Sequence, residues 1–181
     1  MINALNGLED APVLVKDFLN YMQTIKGKSV NTVQVYFYDL RVFLRFIKLH
    51  KNLVPKDIDF DSIDISDVDA ELIRTITLSD LYSYMSFVSN SRSNSAYARA
   101  RKVASLKSFF KYLTNKAKVL DKNPALELES PKIVKRLPRY LNIDESKQLL
   151  SSVDGKNSVR DYAILTLFFP STEERSCLLS S

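Results

Sequence analysis

The chain has 181 residues, 45% of them hydrophobic and 26% charged, which is enough apolar material for a buried core and excludes a chain disordered by composition. Its single cysteine, Cys177, and single histidine, His50, exclude an internal disulfide framework, a cysteine-rich metal site and a His/Cys zinc cluster. Net charge is +5, but residues 92–139 alone hold 13 Lys+Arg against 3 Asp+Glu, while residues 1–91 hold 9 against 12 and residues 140–181 hold 4 against 6, so the whole excess sits in one block, as on a polyanion-binding surface.

In chain order, Pro12 to Ile25 predicts a first helix, with Leu14, Phe18, Met22 and Ile25 at helical spacing and Gly27 as its stop. Ser29 caps a second helix that runs to His50, with Val33, Phe37, Leu40, Leu44 and Ile47 as its apolar stripe. Val54 to Asp69 is acidic, broken by Pro55, and reads as a long connection with one turn of helix. Thr77 or Ser79 opens a third helix, LSDLYSYMSFVSN, which the polar turn SNSRSNS closes. The fourth helix begins with SAYARARKVASLKSFFKYL, from Ser95 to Leu113 and on to about Asn115. Lys122-Asn123-Pro124 halts the helical run, and Pro131 and Pro138 bracket a basic extended segment that reads as a linker. Asn142 and Glu145 are placed as a helix cap and its reciprocal partner, and a last helix starts near Ser158. No segment reads as a strand.

The fourth helix carries Val103, Leu106, Phe109, Phe110 and Leu113 on one arc. Arg101 lies opposite that arc, Lys107 and Lys111 lie beside it, and Arg99 and Lys102 are expected to reach past the edge of the core. Charge runs are ordinarily solvated helix faces. Here no acidic residue stands at i±4 to lace the cations together, and the charge continues through Lys132, Lys135, Arg136 and Arg139. A basic helix that leads into a basic linker points to duplex DNA, where cations on phosphates release counterions and a helix can enter the major groove.

The residues also carry a family pattern. SVNTVQVYFYDLRVFLRFI matches S-x-N-T…Y…D-L-R-x-F through Ser29, Asn31, Thr32, Tyr36, Asp39, Leu40, Arg41 and Phe43. ARKVASLKSFFKYL, NPALELESPKIVKRLPRYL and RDYAILTLFF follow in order. Over roughly residues 10–169 the chain resembles the tyrosine site-specific recombinases of the phage-integrase family, most closely the Xer type. The resemblance implies an all-α chain. Residues 1–126 would be a four-helix SAM-like core-binding domain, 127–141 a basic linker, 142–169 the start of a catalytic domain, and 170–181 a tail outside the family pattern.

The implied partner is double-stranded DNA, with room for other recombinase subunits, and the second and fourth helices would face the major groove. On this sequence the implied contacts are Thr32, Tyr36, Arg99, Arg101, Lys102 and Lys107, with Lys132, Lys135 and Arg136 along the backbone. Tyr36 reads equally as a core aromatic, and Thr32 as early-helix polar surface. In such proteins a tyrosine attacks the scissile phosphate while arginines, a lysine and histidines stabilise charge. The first arginine element would follow RDYAILTLF, where this sequence reads PSTEERSCLLSS. No catalytic residue is therefore assigned: Arg175 lacks its expected neighbours, and His50, Tyr140 and Tyr162 lie outside the catalytic context. The expectation is a chain cut early, as a frameshift or premature stop would leave it, and without recombinase activity.

No cofactor, metal, membrane or small-molecule substrate is expected, and with no leader or spanning segment in the sequence the expected setting is the cytoplasm. An alternative reading is a helical protein-interaction module. It would associate through Ile164, Leu165, Leu167, Phe168 and Phe169, which a short second unit leaves partly uncovered. A nuclease reading is disfavoured because no paired carboxylates stand beside the basic block.

Overall fold

The computed structural model describes residues 8, 10–90, 95–132 and 141–168, and these are all helix, turn or irregular chain, as the sequence predicts. The chain divides into two compact units, residues 1–134 and 135–181.

The first unit is built on four long helices. Helix α1 (Val13–Thr24) buries Val15, Phe18, Leu19 and Met22 along one side. It ends because Gly27 adopts φ +61, a conformation that carries a steric penalty for residues with a Cβ, and the Lys28 amide then donates to the Met22 carbonyl. Helix α2 (Val30–His50) starts where the Ser29 hydroxyl accepts from the Thr32 amide. It buries Val33, Phe37, Leu40, Phe43, Leu44 and Ile47.

The connection after α2 holds a single 3-10 turn, Phe60–Ser62. Its acidic side chains face solvent, while Ile63, Ile65 and Val68 are buried. Two cations of α2 fix this segment. Arg45 Nε donates to the Ile63 carbonyl at 3.0 Å, and the buried Lys48 ammonium donates to the Asp64 carbonyl at 2.8 Å and to the Asp67 carboxylate at 2.7 Å.

Helix α3 (Ala70–Arg74), capped by Asp69, is one element the sequence did not announce, because five residues are too few to display a 3.6-residue period. Helix α4 (Leu78–Asn90) begins at Thr77, not Ser79. The Thr77 amide donates to Asp80 and the Asp80 amide donates back to the Thr77 hydroxyl. Burial works to raise the Asp80 carboxyl, but the Thr77 amide, the Lys51 ammonium and the Thr77 hydroxyl together outweigh it and hold the group below its usual range.

Helix α5 (Ala96–Asn115), capped by Ser95, buries Val103, Leu106, Phe109, Phe110 and Leu113. The four long helices meet in an aromatic cluster. Phe109 meets Phe18 edge-on at 5.3 Å, and Phe43 meets Tyr84 at 5.1 Å and Phe110 at 6.0 Å. Beyond α5 the chain turns at Lys118 (φ 56) and returns to the core through Leu120, Ala125 and Leu128.

In the second unit, helix α6 (Ile143–Ser151) opens with the reciprocal Asn142–Glu145 cap read from the sequence. Helix α7 (Ser158–Phe168) follows, with Val159 85% and Leu167 76% exposed. Of the apolar side chains expected to stay uncovered, Ile164 and Leu167 are exposed and Leu165 is half-buried. The Phe168 side chain, Phe169 and the 170–181 tail lie outside the described residues.

Candidate functional site

Helix α5 is a cation-bearing element with no acidic residue of its own. Its five cations do not all serve one surface. Lys102, expected to reach past the core, is instead 7% exposed, and its ammonium lies 2.8 Å from Oδ1 of Asp39 on α2. Burial of a lone ammonium is costly, so the pairing with an equally buried carboxylate is what allows this position. Lys102 thus belongs to the α2–α5 packing and not to the outer surface.

Arg99 is half-buried and turned towards α4, where it donates through Nη1 to the Ser89 hydroxyl, while its Nε is buried without a partner. Arg101 remains at the surface: its side chain is 43% exposed and Nη2 lies 3.1 Å from the same Asp39 Oδ1.

The outward face of α5 follows from 100° of rotation per residue. Tyr97, Ala100, Ala104, Lys111 and Asn115 share one arc, flanked by Arg101 on one side and Lys107 on the other. Tyr97 is 62% exposed; Ala104, Lys111 and Asn115 are also exposed, and Ala100 and Lys107 are half-buried. Neither Lys107 nor Lys111 has an ion-pair partner among the described residues. The result is a helix face on which Lys111 shares the arc with two alanines, Tyr97 and Asn115, with Arg101 and Lys107 on its flanks. Ala100 and Ala104 leave the helix backbone little covered between the cations.

The remaining expected contacts are placed as follows. Thr32 sits in the first turn of α2, half-buried, with its hydroxyl 3.0 Å from that of Ser29. Tyr36 stacks on Phe18 at 6.4 Å and packs against the core, so its ring is a core-edge aromatic. Lys132 is exposed. Lys135 and Arg136 lie outside the described residues. Sequence reading missed Asp39 as part of this cluster. The signal was its register: Tyr36, Asp39 and Phe43 share the stripe that α2 turns inward, and a carboxylate there needs a cation.

Among the described residues no group of three or more metal-ligating side chains could hold an ion, and no helix is long and apolar enough to cross a membrane.

Residues 15–117 match the family phage integrase, N-terminal SAM-like domain. The chain belongs to the phage-integrase family. Integrase-family relatives agree. The chain is similar to tyrosine recombinase XerC of Caldanaerobacter subterraneus subsp. tengcongensis, 57% identical over 157 residues, or 87% of this chain and 44% of that protein. It is similar to tyrosine recombinase XerD of Listeria monocytogenes, 32% identical over 158 residues, 86% of this chain and 47% of the other. It is also 32% identical to tyrosine recombinase XerC of Pelotomaculum thermopropionicum over 159 residues, 87% of this chain and 47% of that one. The chain therefore spans about half the length of the curated relatives it matches. No solved structure matches it. The integrase SAM-like match ends inside the turn after α5, so the whole outward face of that helix lies within it.

Proposed function

We propose that the first unit is the DNA-clamping part of a tyrosine recombinase, and that it lays the outward face of α5 along a groove of duplex DNA. The observation that carries this reading is the set of three outward cations, Arg101, Lys107 and Lys111, around Ala100 and Ala104 on one helix face. The major groove is about 12 Å wide and admits a helix. Cations on the rim of the helix fall opposite phosphates, and each neutralised phosphate releases about one counterion. Thr32 adds a polar group at the start of α2, and Lys132, Lys135 and Arg136 extend the contact along the backbone.

Arg99 and Lys102 act in this reading through packing and not through contact with DNA. No residue of the chain is assigned a role in bond breakage. Other recombinase subunits are further partners of the same reading.

The competing reading, association through apolar surface, draws on the exposed Val159, Ile164 and Leu167 of α7. It belongs to the second unit, and salt separates the two, because apolar association does not weaken as salt rises.

Amide chemical-shift mapping tests the interface. Adding duplex DNA to the labelled chain is expected to shift the amides of Tyr97, Ala100, Arg101, Ala104, Lys107 and Lys111. Those of α3 and the 3-10 turn should stay in place. Shifts confined to α6 and α7 would overturn the assignment.

A further inference from the structure

We propose that Asp39 is a positioning residue: its buried carboxylate fixes the Arg101 guanidinium on the α2–α5 seam so that the remaining guanidinium donors meet a DNA phosphate. The inference rests on the DNA-clamping reading and deepens it. Three side chains make the device. Asp39 is 2% exposed, Lys102 is 8% exposed at the side chain, and Arg101 is 43% exposed. Both cations approach a single oxygen, Oδ1, at 2.8 and 3.1 Å. Lys102 alone neutralises the carboxylate inside the fold. The charge of Arg101 is therefore surplus, and it is the outer member of the cluster.

A guanidinium has five N–H donors in a rigid fork. Asp39 Oδ1 lies 3.1 Å from one end of that fork, Nη2, and the Arg101 side chain is 43% exposed, so donors remain for a further partner. An arginine held this way has already given up its rotamer freedom before DNA arrives, and preorganisation of that kind strengthens binding. Stability alone does not account for the cluster. Asp39 Oδ2 is buried with no hydrogen-bond partner, a cost that an apolar pair of the same volume would not carry.

The test is fluorescence anisotropy on a labelled mixed-sequence duplex, with a thermal melt of every variant. Arg101→Ala is expected to weaken binding about tenfold. Asp39→Asn is expected to lose nearly as much, and the double variant no more than either single one, because both substitutions remove the same contact. Lys102→Met leaves Asp39 and Arg101 paired. It should lower the melting temperature yet bind within about twofold of the parent below its melt.

If Asp39→Asn does not fold, Asp39→Asn with Lys102→Met removes both buried charges together, and the same loss is expected. Losses from Asp39→Asn and Arg101→Ala that multiply would overturn this inference and leave the DNA reading standing. So would parent-like binding by a folded Asp39→Asn, or a loss in folded Lys102→Met equal to that in Asp39→Asn. A parent chain that binds no duplex would overturn the DNA reading and this inference with it.

Discussion

Exchanging Arg101, Lys107 and Lys111 for alanine together is expected to weaken duplex binding several hundredfold near 0.1 M salt. The size follows from counterion release. Affinity varies as salt to the power of about −0.9 per phosphate contact, so each contact contributes roughly eightfold at that salt relative to 1 M, and three multiply. The slope of log K against log salt should become shallower by about three. The triple variant should remain folded. None of the three belongs to the apolar core: Arg101 and Lys111 are exposed, Lys107 is half-buried, and Lys102 still neutralises Asp39 when Arg101 is gone. Surface changes of this kind ordinarily move stability by within about 0.5 kcal/mol. Anisotropy at several salt concentrations, beside a urea melt, gives both readouts. An unchanged slope would mean that these cations contact no phosphate.

Phe109→Ala is expected to have the largest effect on stability, a loss of about 3–5 kcal/mol. Phe109 is fully buried and sits where α1 and α5 join, 5.3 Å from Phe18 and 5.7 Å from Phe110. Truncation removes its buried surface and leaves a cavity that three packed helices cannot close. A domain of this size has only about 5–15 kcal/mol to lose, so the variant should unfold at a much lower urea concentration with its slope unchanged. Leu126 makes the contrast: it is 72% exposed, and its alanine variant should differ from the parent by within about 0.5 kcal/mol. Equal losses at the two positions would contradict the packing described for α5.

The four long helices of the first unit were legible because each buries a stripe of apolar residues at 3.6-residue spacing, and the stripe is a property of the segment alone. The caps at Ser29 and at Asn142 with Glu145 were legible for the same reason, since the capping partners lie within three residues. Helix α3 was not, because a single short turn leaves no period to read.

The candidate site was legible as charge but not as geometry. A helical wheel of α5 shows which side Lys102 leaves from, but not that Asp39, 63 residues earlier, waits there. Lack of an acidic partner within α5 suggested free charge, yet the partner was on α2. The same limit applies to Arg99, whose hydroxyl partner Ser89 belongs to α4. Pairings between helices depend on how the helices pack, and periodicity within one segment carries no record of that. Tyr36 was readable both as core and as contact because it stands at the edge of the stripe, and its stack on Phe18 assigns the ring to the core edge.

The most direct measurement is the affinity of the purified chain for labelled duplex DNA across a salt titration. Binding is expected at low salt, with a log–log slope of roughly −3 to −5, the range between the three cations of α5 acting alone and those three joined by Lys132, Lys135 and Arg136. Absence of binding at low salt by a folded, monomeric sample would contradict the DNA-clamping reading, as would an affinity that does not change with salt.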